Sequence, residues 1–204
     1  MVSFKRAPSD AQATHRLAPG DAITPRELTT IGSDRIRLPA SDLLTHLQFR
    51  RFAACPVCNV HLRSVARRHG EIVAAGIREV VVFHSPVEAM LPHQGGLPFA
   101  VVADPDRELY TEFGVESSPK ANLHPRVWTG PLKPQSWSVV AGGLRAGGKL
   151  GPQGESMLGL PADFLIDPDG QVLAVHYGTH ANDQWPIDEL LRQADESTRR
   201  STRD

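Results

Sequence analysis

The chain has 204 residues, with 22 Lys and Arg against 23 Asp and Glu and a formal net charge of −1. This length suits one domain with additions and is short for two. The near balance of charge excludes the strongly basic surface that binds nucleic acids or anionic membranes. We therefore expect a single core, and neither nucleic acid nor membrane among the partners.

The first residues predict no targeting segment. Ser9, Asp10 and Gln12 interrupt the first twenty residues, which lack the apolar run of a secretory signal, and no stretch is apolar for the length of a membrane span. We expect a cytoplasmic protein. In a reducing compartment, two neighbouring cysteines are more typical of catalysis or metal binding than of a structural disulfide.

The two cysteines, Cys55 and Cys58, form a Cys-Pro-Val-Cys motif. An apolar-rich run over residues 43–49 predicts a buried strand before it, and apolar residues at helical spacing predict one helix after it. Pro56 suits the first helical position and Gly76 the end. Free N–H groups at a helix start favour a thiolate, so the motif predicts redox chemistry. The alternative is that two small side chains are merely buried one turn apart.

Predicted strands and helices alternate in the next part of the chain. β-branched runs at 80–83 and 99–102 have the length of buried parallel strands, and a short helix fits between them. Asp104 and Pro105 predict the cap and first position of another helix, which ends at Gly114.

The C-terminal third predicts a hairpin and a last helix. Strands at 164–166 and 172–175 flank a four-residue turn, and a helix begins near Pro186. This order predicts an α/β fold, a three-layer sandwich around a mixed sheet. The charged run from Asp195 onward predicts a frayed end.

A long connection rich in Gly and Pro, residues 119–160, interrupts the alternation. Connections of this length are typically a functional lid, an interface or a disordered insert. Trp128 and Trp137 favour a part that is ordered. The predicted organisation is a flexible N-terminus over 1–16, one domain over 17–195 that contains the insertion, and a flexible tail over 196–204.

Three segments, 17–38, 49–58 and 160–170, resemble the thioredoxin superfamily. Within it they are similar to the peroxiredoxin-like branch of AhpC/TSA type that includes selenoprotein L relatives with a CxxC. The first resembles the N-terminal extension of that group, the second its active-site segment, and the third its stretch with a cis-proline before a strand. The resemblance covers most of the chain and implies a thioredoxin-like fold and a thiol-dependent antioxidant oxidoreductase.

The resemblance also implies roles for Leu160 and Pro161. Pro161 would be cis and lie against the Cys55–Cys58 turn, with the Leu160 backbone free to pair with an extended substrate. An ordinary trans proline is the alternative. Relatives of this kind often dimerise, so a homodimer is among the expected partners.

The sequence departs from the standard peroxidase site of the family. Typical members carry Thr or Ser three residues before the attacking cysteine and Pro seven before it, where Phe52 and Gln48 stand here. The arginine before the Phe-Ile-Asp strand is also missing. Arg50 and Arg51 are the candidates for the positive charge.

The expected mechanism uses Cys55 as the attacking thiolate, since it precedes the helix and should be exposed and receive the N–H groups there, whereas Cys58 lies one turn inside. Cys58 would resolve the mixed disulfide or sulfenic acid, and Pro56 would influence the redox potential of the pair. The expected substrate is a disulfide or a peroxide, and an external thioredoxin-type dithiol or low-molecular-weight thiol resets the pair. No cofactor and no metal are expected.

Two alternatives belong to other classes. In the first, Cys55 and Cys58 bind a metal together with His61, His84 or His93, although zinc usually takes four ligands in a closed site. His176 and His180 are lesser candidates near a strand end. In the second, the protein is a redox-inactive scaffold whose partners bind the loop from Trp128 to Trp137.

Overall fold

The computed structural model describes residues 16–115 and 160–201. The predicted flexible N-terminus, apart from Arg16, lies outside these residues, and so does the insertion with Trp128 and Trp137, apart from Leu160. The end of the predicted tail beyond Ser201 also lies outside them. The single domain over 17–195 stays a prediction.

Within the described residues, the central sheet has five strands. They are β3 (Leu44–Arg50), β4 (Ile77–Phe83), β5 (Ala100–Ala103), β6 (Ala162–Ile166) and β7 (Val172–Tyr177). Their order is β5-β4-β3-β6-β7, with β3, β4 and β5 parallel and β6 and β7 antiparallel to their neighbours. Two further strands, β1 (Arg26–Thr29) and β2 (Arg35–Leu38), form a separate antiparallel pair. The mixed sheet of the predicted α/β fold is confirmed.

Five helices complete the described residues. They are α1 (Pro56–Arg67), α2 (His69–Ala74), α3 (Val87–Gln94), α4 (Glu108–Glu112) and α5 (Ile187–Ser201). The short helix predicted between the β-branched runs is α3. None of these helices is both long enough and apolar enough to cross a membrane.

Three predicted helix boundaries were wrong. The single helix after the cysteines breaks at Arg68, whose ψ of 14° leaves the helical range, although Val65 and Ile72 on either side pack into one core cluster. Helix α4 begins after the turn at Pro105, and the Asp104 carboxylate reaches forward to accept its first N–H groups.

At the C-terminus, α5 continues to Ser201, through the residues predicted to be frayed. Ala194 is buried against the sheet, and ion pairs one turn apart, such as Arg199 with Asp195 at 2.8 Å, follow the helix outward. The charge pattern that predicted a frayed end therefore belongs to the exposed side of a helix.

Strand β3 buries different chemistry on its two faces, because successive side chains in a strand point in opposite directions. Leu47 and Phe49 lie in the apolar core with Phe164 and with Tyr110 of α4. The other face carries the buried polar side chains of His46, Gln48 and Arg50. The strand thus ends with an aromatic residue on one side and the buried Arg50 on the other.

Candidate active site

Cys55 is the N-cap residue of α1, in the turn that follows β3. Its Sγ accepts a hydrogen bond from the Cys58 N–H at 3.4 Å, and Cys58 Sγ lies 2.7 Å from it. Both cysteines are free thiols, and Pro56 occupies the first helical position as predicted. The motif therefore places two sulfurs in contact at the start of a helix.

Both thiols are buried, so the expectation that Cys55 is exposed was wrong. Cys55 is 1% exposed and Cys58 0%, within a cluster that includes Phe52, Phe83 and Met90. The N-cap position alone would leave a side chain accessible. The residues around it come from β4 and α3, and their packing against the turn encloses the sulfur.

The surroundings of the two thiols shift their pKa values in opposite directions. The hydrogen bond from the Cys58 thiol lowers the pKa of Cys55 to about 7, against the opposing effect of burial and with help from Arg51 and the N–H groups of Val57 and Cys58. Burial, and then the interactions with Cys55, raise the pKa of Cys58 well above the ordinary value. Cys55 is thus the thiol that ionises first.

The two predicted arginines differ in their surroundings. The Arg51 guanidinium acts on Cys55 and lies over the Phe52 ring, 5.6 Å from its centroid. Arg50 is fully buried, and its Nη2 donates to Asp163 Oδ1 at 2.6 Å. Arg51, and not Arg50, therefore matches the prediction of a cation beside the attacking thiol.

A buried polar cluster, which we call the charged layer, spans the sheet beside the thiols. Its members, drawn from β3, β4 and β6, are His46, Gln48, Arg50, Glu79 and Asp163. His46 Nδ1 lies 2.9 Å from Glu79 Oε2, and Gln48 also donates to Glu79. Sequence reasoning missed this layer, although the alternation of His46, Gln48 and Arg50 along β3 carried the signal.

The charged layer fixes the protonation of its members. Burial alone would disfavour the His46 imidazolium, but Glu79 and Asp163 outweigh it and raise the pKa of His46 to about 9. Burial opposes ionisation of Asp163 too, yet Arg50 and His46 hold its pKa well below the usual range. On α1, burial and then Arg50 lower the pKa of His61 to about 3, so that its ring is neutral.

Pro161 lies at the start of β6, and its carbonyl accepts the Gly178 N–H at 2.9 Å. Ala162 pairs with Phe49, which places Pro161 at the end of the sheet where the Cys55 turn begins. Within residues 16–115 and 160–201, the cis peptide bond is Leu38–Pro39. The cis bond implied at Pro161 was therefore wrong, because a trans proline leads into β6.

The candidate metal ligands are not brought together. Within the described residues, no group of three or more His, Cys, Asp and Glu side chains is arranged to hold a metal ion. His84 packs edge-on against Tyr110, and His176, on the edge strand β7, has Nε2 3.0 Å from Asp183 Oδ1. Among the described residues, the two sulfurs therefore have no histidine partner of the kind that the metal alternative requires.

The mixed sheet, with a helix that begins in the turn after β3, has the fold of the thioredoxin superfamily. The sequence model of the AhpC/TSA antioxidant enzyme family matches residues 64–180, more than half of the chain. The chain belongs to this family and has thiol-dependent peroxidase or oxidoreductase activity. The match begins after Cys58, so it does not identify the cysteines that react.

Individual proteins agree with this assignment. Peroxiredoxin-like 2C of Takifugu rubripes is 24% identical over 176 residues, which cover 77% of this chain and 74% of that protein. The structure of peroxidoxin BcpB from Mycobacterium tuberculosis has a TM-score of 0.63 at 19% identity and covers 89% of this chain and 98% of its own. The structure of a reduced 2-Cys peroxiredoxin of Plasmodium vivax has a TM-score of 0.62 at 12% identity and covers 91% of this chain and 84% of its own. At these identities the two structures support the fold alone.

Proposed function

We propose that Cys55 and Cys58 are the redox-active pair, with Cys55 as the attacking thiolate and Cys58 as the resolving thiol. The observation that carries this proposal is the contact of the two sulfurs at the N-terminus of α1, with their acidities shifted in opposite directions. A thiolate that forms near neutral pH combines a high ionised fraction with good nucleophilicity.

With a disulfide as substrate, the Cys55 thiolate attacks one sulfur, forms a mixed disulfide and releases the other half as a thiolate. Cys58 then loses its proton and attacks Cys55 Sγ. This step closes the Cys55–Cys58 disulfide and releases the second half of the substrate. Two electrons have passed from the protein to the substrate, and an external dithiol or two small thiols return them.

With a peroxide, the Cys55 thiolate attacks one oxygen and breaks the O–O bond. Cys55 becomes a sulfenic acid, and the other oxygen takes up a proton and leaves as an alcohol or water. Cys58 attacks the sulfenic sulfur, and water leaves as the same intramolecular disulfide forms. The relatives named as peroxidoxin and peroxiredoxin favour this substrate class.

The side chains around the thiols favour a disulfide. Phe52, which is buried, occupies the position of the family's hydroxyl residue, and Pro161 lies where the arginine is expected. Neither can hydrogen-bond a peroxide. We propose Leu160 and Pro161 as the edge along which an extended substrate lies, and Pro56 as the residue that constrains the redox turn.

The remaining expectations follow from this chemistry. The reductant is proposed to be a thioredoxin-type protein or a low-molecular-weight thiol, and the compartment a reducing cytoplasm. A homodimer is also proposed, since the relatives of this group often form one.

Single serine variants test the assignment. Cys55→Ser should abolish turnover with a dithiol donor for disulfides and peroxides alike, whereas Cys58→Ser should retain the first attack and accumulate a mixed disulfide that mass spectrometry detects. Comparing the rates of the wild-type protein with a small disulfide and with hydrogen peroxide decides the substrate class. Full activity of both serine variants would overturn the proposal.

A further inference from the structure

The turn before Cys55 is held at Ala53 by three side chains. Ala53 is fully buried, and its N–H donates to Ser85 Oγ at 2.8 Å. Its carbonyl accepts from Gln94 Nε2 at 2.8 Å and from Asn59 Nδ2 at 3.1 Å. Both backbone polar groups of this residue are therefore satisfied by side chains rather than by the sheet or the helix.

These three side chains come from three places in the fold. Ser85 follows β4, Gln94 is the last residue of α3, and Asn59 lies in α1 itself. Gln94 Nε2 also donates to Asn59 Oδ1 at 2.9 Å, which joins α3 to α1. Ser85 is 0% exposed and Gln94 1%, so water does not compete for these hydrogen bonds.

The clamped turn sets the place of Cys55. The Cys55 N–H donates to the Phe52 carbonyl at 3.0 Å, which closes the turn around Ala53. The Cys55 sulfur is 3.4 Å from the Cys58 nitrogen, a hydrogen-bond distance for sulfur. A displacement of the turn would therefore move the sulfur relative to the N–H groups at the start of α1.

We propose that Gln94 and Ser85 are positioning residues, which hold Ala53 so that the Cys55 sulfur faces the N-terminus of α1. The inference rests on the proposed role of Cys55 as the attacking thiolate. Asn59 completes the clamp from within the helix. Hydrogen bonds from the Cys58 thiol and from the N–H groups of Cys58 and Val57 lower the pKa of Cys55, so releasing Ala53 shifts the ionisation of Cys55 without touching either sulfur.

The test measures thiol ionisation rather than turnover. The rate at which iodoacetamide alkylates Cys55 in the reduced protein is followed against pH, with the modified cysteine identified by mass spectrometry. Gln94→Met removes the amide at similar length, and Ser85→Ala removes the hydroxyl. We expect both variants to raise the midpoint of the alkylation profile by about one pH unit, which lowers the thiolate fraction at pH 7 about fivefold.

Gln184→Met is the matched control, because Gln184 is also buried and also donates to a carbonyl, that of Ala181, in the segment before α5. Its midpoint should equal that of the wild type. Turnover of Gln94→Met and Ser85→Ala should recover at alkaline pH, where Cys55 is ionised regardless of position. A loss of folding cooperativity alone would not produce such a recovery.

Each outcome of this experiment supports or overturns the proposal. Unchanged midpoints in folded Gln94→Met and Ser85→Ala overturn the proposal, and if the Gln94 variant does not fold, the Ser85 variant decides alone. An equal shift in Gln184→Met also overturns it, because the effect would then be general. If instead Cys55→Ser keeps full turnover, the proposed function fails, whatever the midpoints show.

Discussion

His46 and Asp163 lie side by side on β3 and β6, with Nε2 3.2 Å from Oδ1, and both side chains are buried. His46 holds Glu79 on its other side, and Asp163 also accepts from Arg50 and from the Trp185 N–H. Two positive and two negative groups are thus buried as a neutral set. Burying such a set costs desolvation free energy, and removing one of its members costs more, because a buried charge is then left without a partner.

The first prediction concerns stability against pH. The folded pKa of His46 is raised to about 9 from an unfolded value of 6.5, so its contribution is fully present below about pH 6.5 and is lost as the pH rises through 9. Asp163 has a depressed folded pKa, so its contribution is present above its unfolded value of about 3.9 and is lost as the pH falls below it. Urea unfolding across pH should show both losses.

The variant His46→Gln tests the loss of unfolding free energy at alkaline pH. His46→Gln removes the titrating group and leaves Glu79 and Asp163 short of a positive partner, which should cost about 3 to 5 kcal/mol of unfolding free energy near neutral pH. The fall in stability between pH 7 and 9 should then become smaller than in the wild type. A variant that kept the full alkaline fall would show that another group causes it.

The second prediction separates Arg50 from Arg51. Arg51→Met should raise the alkylation midpoint of Cys55, because the guanidinium favours the thiolate. Arg50→Met should instead destabilise the fold by about 3 to 5 kcal/mol, since it leaves Asp163 without its closest cation. Urea unfolding and alkylation profiles of the two variants check both arms, and equal behaviour of the variants would contradict the distinction.

The third prediction concerns crowding at Gly178. A Cβ there would lie 2.5 Å from the Asp183 carbonyl oxygen and 2.9 Å from the Pro161 carbonyl oxygen. Gly178→Ala should therefore displace the segment against Pro161 and cost about 1 to 3 kcal/mol. Gly70→Ala is the control, because a Cβ at Gly70 meets nothing within 4 Å. Thermal unfolding should distinguish the pair, and a neutral Gly178→Ala would contradict the packing.

The fourth prediction concerns the Tyr110 hydroxyl, which joins α4 to the ends of two strands. It donates to the Val82 carbonyl at 3.0 Å and contacts the Arg50 carbonyl. Tyr110→Phe keeps the ring packed against Phe49 but leaves these buried carbonyls without that donor. The expected cost is about 1 to 3 kcal/mol by urea unfolding. An unchanged midpoint would mean that other donors replace the hydroxyl.

The sequence predicted the elements whose signals are local. The β-branched run at 80–83 lies in β4, the turn at 167–170 joins β6 to β7, and Pro56 begins α1, because period, turn chemistry and proline position depend on near neighbours. The break at Arg68 could not be predicted in this way, since the apolar spacing continues across it from Val65 to Ile72.

The site was predictable in part. The spacing of Cys55 and Cys58 at a helix start was sufficient to place the two sulfurs together. Their burial was not predictable, because Phe83 and Met90 reach the turn from elements distant in sequence. The choice between Arg50 and Arg51 depended on Asp163, more than a hundred residues later, which only the pairing of β3 with β6 brings near.

The two faces of β3 have a consequence for how the chain finds its pairing. Slipping this strand by one residue against β6 would turn Phe49 toward the charged layer and Arg50 toward the aromatic core around Phe164. Either exchange alone would strongly destabilise the slipped pairing. Phe49 and Arg50 therefore each specify the register independently. The cysteine turn begins where β3 ends. The register of β3 against β6 therefore also determines the position of the reactive sulfur along the sheet.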